Sequence, residues 1–567
     1  MNETGKNPMS ERHHPHWPPG LPKHLTVPQT NVFHNLEVSA ARFPDKPFII
    51  FYDTPISFGE FKAEAERIAG FLQLECGVRA GDRVLLYLQN SPQWILAYYG
   101  ILRANAVVVP VNPMNLTEEL RHYVHDTGAT TAFVPQDLYA QMQPLVGSGE
   151  GRGLEYLIVA AYSDYLKHPT DLRLPEFVGA SRLPITGAGV TLWNDMLARN
   201  LRPGALTAGP DDLCVLPYTS GTTGRPRGCM HTHRSVMSTL VGGVHWFSST
   251  QDSVYLSVLP FFHVTAMAGS MNEPLYAGAT IVVLSRWDRD VAAQCMQRYR
   301  VTVWQVISTM MIDFLSNPRL AEYGLSSMEV IRGGGAAMPE AIARKLKELT
   351  GLAYVEGYGM SETMAATHRN PSRRAKPQCL GIPVFDVDSR VIHPDTLQDL
   401  PVNEIGEIVV HGPQVMLGYW NHPQATRDAF VEIDGKRYLR TGDLGRVDDE
   451  GYFFMIDRLK RMINASGFKV WPAEVEALMY NHPAIHEACV IAARDERRGE
   501  TVKVLVVLKE GFQGQVSEQN IIDWAHVHMA AYKSPRIVEF VTTLPKSASG
   551  KVQWRELQEQ EAARSTG

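Results

Sequence analysis

Short runs of β-branched and aliphatic residues alternate with helical patterns from "PFIIFYD" (47–53) onward. "GDRVLLYLQN" predicts a buried strand. "SPQWILAYYGILRANA" predicts a helix with Ser91 as N-cap and Pro92 at its first position. "AVVVPVNP", "ATTAFVP", "YLIVAA", "SVYLSVLP", "ATIVVLS", "VTVWQVIS" and "MEVIRGGG" predict further strands. Strand and helix in alternation imply parallel sheets layered with helices, an α/β class. "GEIVVHGPQVMLGYW" and "RYLRTGDLGRVDDEGYFFMIDR" break that rhythm. They read as short strands joined by tight turns, which suits a small, β-barrel-like antiparallel subdomain. Beyond Asp457 the order strand, loop, helix, strand, strand, helix describes a compact α+β unit. The expected organisation is an N-terminal tail (1–30), a large domain (31–457), a hinge (458–460) and a small mobile domain (461–567).

Composition changes this picture little. The 567 residues suggest roughly three or four units. A net charge of −6 gives no reason to expect a nucleic-acid partner. Six cysteines without a C-x-x-C pair argue against a disulfide framework or zinc ribbon. The first residues, "MNETGKNPMSERHHPHWPPG", lack the apolar core of a signal peptide, and no apolar run approaches the ~20 residues of a membrane span. A cytoplasmic location is expected, with peripheral membrane contact and a homodimer both compatible. The tail, rich in Pro and His, is expected to be flexible or draped, and "HHPH" is read as tail composition.

The densest chemistry lies in "YTSGTTGRPRG" (218–228), after one strand and before the helix-like "SVMSTLVGGV". Glycines let the backbone approach a phosphate, their N–H groups form an anion nest, and Ser and Thr hydroxyls add donors. It is not a Walker A loop, because the second required glycine falls on Pro226. "IRGGGAAMPEAIARKL" follows a strand and opens a helix, but Met338 stands at the third glycine of a dinucleotide fingerprint. "CMHTH" places Cys229, His231 and His233 on one strand face. No fourth ligand follows, so no metal site is expected there.

The loop resembles the phosphate loop of the adenylate-forming enzymes: acyl-CoA synthetases, luciferases and nonribosomal adenylation domains. Arg227 stands where that family's pattern has lysine; it keeps the charge but is not equivalent. "LPFFHV" (259–264), "GGGAAMP" (333–339), "EGYGMSET" (356–363), "YLRTGDLG" (438–445), "DRLKRMINASGFKVWPAEVE" (457–476) and "LPKSASGK" (544–551) resemble the family's other segments, in order, over about 30–560. The resemblance implies a nucleotide site made by Thr219, Ser220, Gly221, Thr222, Thr223, Gly224 and Arg227 around the phosphates. Gly334, Gly335, Ala336, Ala337, Gly357, Tyr358, Gly359, Met360 and Ser361 would border the base. Asp443, Met455 and Arg458 would stand by the ribose. It further implies Glu362 as the Mg2+ ligand, His263 beside the acyl carboxylate and Lys551 as the catalytic lysine. Lys460 is the implied hinge, and Ser466, Gly467 and Phe468 border the CoA tunnel.

Each role has a physical basis. A carboxylate suits a hard, oxygen-seeking Mg2+. Asp443 lies between glycine turns, where a carboxylate accepts two hydrogen bonds from vicinal hydroxyls. A lysine on a mobile loop stabilises charge that develops during transfer. The implied reaction has two steps. A carboxylate attacks the α-phosphate of ATP, giving an acyl-adenylate and pyrophosphate; the thiol of coenzyme A then displaces AMP.

Several family branches fit less well. Free coenzyme A is the expected acceptor, rather than the carrier protein of a synthetase assembly line. "FFHVTAMAGSMNEPLYAG" offers no counter-charge for an amino acid's ammonium. Asn464 stands where luciferases carry a lysine, and the charged groups expected to be lost in an inactive regulator are present. The expected acid is apolar, a medium- to long-chain fatty acid bounded by Trp246, Val264, Met267, Trp304, Val306 and Met360. An aryl or alicyclic acid is the nearest rival.

Overall fold

A computed structural model describes residues 11–147, 153–219, 226–335, 337–458, 461, 463–465, 468–495, 499–547 and 550–564. Among these, two large sheets dominate. One has nine strands, in the order Ile382–Pro383, Ala365–Arg369, Tyr354–Met360, Val330–Gly334, Val303–Gln305, Val254–Ser257, Thr280–Val283, Pro47–Phe51 and Thr54–Ser57. Its six central strands run parallel and its edges antiparallel. The other has seven strands, centred on Arg83–Leu86 and Val107–Pro110 and parallel except at the His231–Thr232 edge. The expected α/β class is observed.

The helix Pro92–Arg103 belongs to the core these sheets share. Ser91 caps it as the sequence predicts, its hydroxyl accepting from Trp94 N at 3.2 Å. Every residue from Pro92 to Leu102 is buried, which matches its lack of a polar face. Trp94, Tyr98 and Tyr99 are inaccessible, and their large apolar surfaces dominate this part of the core. Gly100 sets the crossing with Phe58–Leu74, since a Cβ there would lie 2.5 Å from Ile68 Cγ2. Asn90 joins the layers, its side chain bonding Leu259 O and Phe261 N, both at 2.8 Å.

The segment 388–458 is an antiparallel five-stranded sheet in which the long strand Lys436–Val447 pairs with three neighbours. Among the described residues no ladder closes it into a barrel, so the barrel-like expectation becomes an open sheet. The C-terminal unit has five strands built around the hairpin Ile485–Asp495 and Gly499–Leu508, with helices Pro472–Met479, Glu518–His528 and Trp554–Arg564.

The tail is packed rather than free over residues 11–30. Trp17 is buried edge-on against Trp246 (5.0 Å between ring centres) and Phe385 (5.2 Å). His13 is buried beside Gly451. Burial of Trp17 edge-on against Trp246 offsets the entropy lost in ordering a Pro-rich segment, and composition alone does not disclose that contact.

Candidate active site

The site gathers at the C-terminal ends of the parallel strands. Residues 220–225, with Ser220, Gly221, Thr222, Thr223 and Gly224, lie outside the described residues, but both flanks are fixed. Thr219 pairs antiparallel with Arg227, and Tyr218 with Gly228. Gly228 is needed there, because a Cβ would stand 2.9 Å from the Tyr218 ring. Tyr218 in turn donates to Asp126 Oδ2 at 2.6 Å. The loop is therefore closed by a two-residue ladder on a braced tyrosine.

The Arg227 guanidinium sits 5.7 Å from the centre of the Tyr419 ring. Tyr419 Oη donates to Glu362 Oε1 at 2.8 Å, and Met416 N donates to Glu362 O at 2.8 Å. Segment 416–420 also bonds the loop's outgoing strand, with Met230 N to Gly418 O at 2.9 Å and Trp420 N to Gly228 O at 2.8 Å. Tyr419 thus ties Glu362 to the loop. The sequence reading did not single it out; "GYW", just beyond an apolar strand, was its only signal. Glu362 is buried, and its carboxylate accepts from the tyrosine. One carboxylate completed by substrate phosphates suits Mg2+, which keeps most of its other ligands as water or phosphate oxygens.

The glycine strand ends explain how a ligand is approached. Added Cβ atoms on Gly333, Gly334 and Gly359 would run into the backbone oxygens of Val306, Gly357 and Ala365. Gly335 has φ +87° and is exposed. A Cβ there would lie 2.7 Å from Lys551 Cε and 2.9 Å from Nζ. Ala336 lies outside the described residues; Ala337 is exposed next to it. Gly357, Tyr358 and Met360 share the strand Tyr354–Met360, with Ser361 and Glu362 in the turn that follows. Tyr358 Oη donates to Asp443 Oδ2 at 2.7 Å. Asp443 and Arg458 face each other across the ladder of Lys436–Val447 and Phe453–Arg458, and Met455 is half-buried on that second strand. The side chain of Arg458 is not described, nor is that of Phe468; Lys460, Ser466 and Gly467 lie outside the described residues.

Lys551 reaches the site on a docked loop. Gly550 has φ +77°, and a Cβ there would lie 2.5 Å from Ile307 Cδ1. Thr309 Oγ1 donates to Gly550 O at 3.4 Å. His263 is half-buried nearby, and its Nδ1 accepts from Thr265 N at 3.3 Å, which places the ring proton on Nε2. Burial, and then the positive charge of Lys551, lower its pKa to about 3, so it is a neutral donor at working pH.

Beside these elements lies a cavity of about 60 Å³. Its wall holds Gly333–Gly335, Tyr358, Gly359 and Glu356. Burial raises the Glu356 pKa to about 8, which makes it a neutral acid. The apolar residues expected to bound the acid do not line this cavity. Trp246 packs against Trp17 and Phe385, and Trp304 stacks on Trp287 at 5.9 Å. Val264, Met267 and Val306 are core residues, and Met360 packs against the five-stranded sheet. The wall is made by their chain neighbours Phe247, Thr265, Ala268 and Gln305. Successive side chains point to opposite faces of a strand, and roughly 100° apart around a helix, so a reading off by one residue names the core instead of the cavity. Arg332, Arg369 and Glu273, which the sequence reading did not single out, complete the wall.

Cys229, His231 and His233 of "CMHTH" do not share one strand face, because His231 lies in the strand His231–Thr232 while His233 opens the helix His233–Trp246. His231 Nε2 donates to Ser361 O at 2.7 Å, and His233 Nδ1 accepts from Val32 N at 3.1 Å. Among the described residues no group of three or more His, Cys, Asp or Glu could hold a metal ion, and no helix is long and apolar enough to cross a membrane.

Known proteins are similar to this chain in sequence and fold. The family model described as AMP-binding enzyme matches residues 36–420, and that of the AMP-binding enzyme C-terminal domain matches 474–551. A long-chain-fatty-acid–CoA ligase of Bacillus subtilis (strain 168) is 34% identical, covering 96% of this chain and 97% of its own. The 4-coumarate-CoA ligase 1 of Narcissus pseudonarcissus is 30% identical, covering 96% and 95%. The crystal structure of the anthranilate CoA ligase AuaEII in complex with anthranoyl-AMP superposes with a TM-score of 0.83 at 25% identity, over 96% of this chain and 99% of that one. The chain therefore belongs to the AMP-binding enzymes, in the acyl-CoA synthetase branch of the adenylate-forming superfamily.

Proposed function

We propose that this chain joins a carboxylic acid to coenzyme A in two steps at the site above, with ATP as the energy source and Mg2+ as its companion ion. The observation that carries this reading is the meeting of Lys551, brought in by the C-terminal unit, with Gly335 and His263 of the large one. In the first step the acid's carboxylate lies between His263 Nε2–H and the lysine ammonium. It attacks the α-phosphorus while Lys551 offsets the charge spreading over carboxylate and phosphate oxygens. Thr219 and Arg227 hold the root of the phosphate loop. Asp443 takes the ribose hydroxyls once Tyr358 releases it. Glu362, positioned by the hydroxyl of Tyr419, would hold Mg2+, which supplies charge neutralisation on the phosphates when bound. Pyrophosphate leaves with its bonding electron pair.

In the second step the C-terminal unit turns at Lys460. Lys551 withdraws and the segment containing Ser466, Gly467 and Phe468 borders the thiol's path. The thiolate sulfur attacks the acyl carbon and AMP departs.

The acid is the finer question. Relatives named long-chain-fatty-acid–CoA ligase support a fatty acid, and those named 4-coumarate-CoA ligase support an aryl acid. A cavity of about 60 Å³ walled partly by charged side chains favours a compact acid over a long bare chain. The test of the reaction is Lys551→Ala. Adenylate formation should fall by several orders of magnitude, while thioester formation from supplied acyl-adenylate is largely kept. Full adenylation by that variant would contradict the role given to Lys551.

A further inference from the structure

The inner wall of the acyl cavity contains ionised groups that neither the nucleotide nor the reacting carboxylate needs. Going inward along Val330–Gly334, exposure falls from Gly335 to Arg332, which is 4% exposed. Arg332 Nη2 donates to Glu273 Oε2 at 2.5 Å and to Gly269 O at 2.8 Å. Arg369 Nη2 donates to Glu273 Oε1 at 3.1 Å. Glu273 is fully buried, so one carboxylate is shared by two guanidinium groups. Arg332 Nε is buried and has no hydrogen-bond partner among the described residues.

The surroundings hold this group in place. The Arg332 guanidinium lies 4.3 Å and that of Arg369 5.3 Å from the Phe247 ring centre. Glu273 fits because Gly243 has no Cβ to collide with it. The π-helical stretch Met267–Asn272 frees the Gly269 carbonyl for Arg332. The other carboxyl in the wall, Glu356, is neutral at working pH and leaves the balance at two cations against one anion.

An uncompensated buried cation is costly, and apolar side chains of equal volume would close a fatty-acid pocket without that cost. A buried fork with an idle donor, facing a substrate cavity, matches a second carboxylate. We infer that Arg332 and Arg369 form a subsite for an anionic group at the far end of the acyl substrate, so that the acid taken is a compact dicarboxylic acid. This rests on the acyl-CoA synthetase reading. Arg332 stands three residues inward of Gly335, a backbone distance of at most about 10 Å, so the two carboxylates belong to a short molecule.

The test is AMP release in the presence of ATP, Mg2+ and coenzyme A with matched acids. Butanoic is paired with butanedioic acid and hexanoic with hexanedioic acid, with octanoic and benzoic acids alongside. The wild-type chain should show a kcat/KM for at least one diacid ten or more times that of its matched monoacid. Arg332→Gln, and separately the pair Arg332→Gln with Glu273→Gln, should lower that ratio tenfold or more, chiefly through the KM for the diacid. Equal or better use of the monoacids by the wild-type chain would overturn the inference and leave the ligase reading standing, whether or not the variants fold. An unchanged ratio in a folded variant would also overturn it. No AMP from any acid, by a chain that ATP still stabilises to heat, would overturn the ligase reading and this inference with it.

Discussion

Lys551 and Gly335 are in contact although 216 positions apart in sequence: a methyl group on Gly335 would lie 2.9 Å from the lysine Nζ and 2.7 Å from Cε. A strand end of the large domain and a loop of the small one therefore meet at a position where only hydrogen fits. Gly335 also has φ +87°, which a side chain tolerates poorly. Gly335→Ala is expected to cut adenylate formation by about tenfold or more while altering thioester formation from supplied adenylate much less. Separate assays of the two half-reactions check this; equal losses in both would point to general damage instead.

Tyr419 is expected to act through Glu362. Tyr419→Phe removes the 2.8 Å hydrogen bond and keeps the ring that Arg227 faces. A bond to a charged group contributes about 1.5–3 kcal/mol. The Mg2+ concentration for half-maximal rate should rise severalfold or more, with a smaller change in kcat at saturating Mg2+. A titration of initial rate against Mg2+ reads this directly.

Arg227→Lys keeps the charge and gives up the flat guanidinium over Tyr419. A rise in the KM for ATP of a few-fold is expected, against a much larger rise for Arg227→Ala. Equal KM values for the lysine variant and the wild type would mean that charge alone matters there.

Stability should respond to pH from both sides. Burial lowers His231 and His233 to about 4 from the usual 6.5. Both rings are neutral in the fold, whereas the unfolded chain takes up protons below about 6.5, so this contribution is complete above that pH and is lost as pH falls toward 4. Glu356 has the opposite sign. Its folded value of about 8 lies above the ordinary 4.5, so its contribution is complete below 4.5 and is lost as pH rises through 8. Glu356→Gln should therefore raise Tm relative to wild type at pH 8 to 9 and lose that advantage near pH 5. Thermal melts across this range test the sign.

What the sequence disclosed depended on how local the signal was. Ser91 and Pro92 announce a helix start through the chemistry of adjacent residues, and the structure places the cap there. The glycine-rich segments carry their own conformational demands and stand out in the same way. The cavity wall was less legible. Phe247 and Gln305 differ from Trp246 and Trp304 only in which side of an element they face, and that depends on the layer packed behind. Glu273, Arg332 and Arg369 lie on three separate elements, and no spacing in the chain announces that one carboxylate will serve two guanidinium groups. The packed tail escaped for a similar reason, since Trp17 meets Trp246 only in three dimensions.

The central claim is ligation through an acyl-adenylate, and the most direct measurement is the product balance from ATP with an acid panel and coenzyme A. AMP and pyrophosphate are expected in equal amounts, matched by acyl-CoA, with adenylate accumulating when coenzyme A is withheld. Formation of ADP and phosphate, or thioester without AMP, would contradict it.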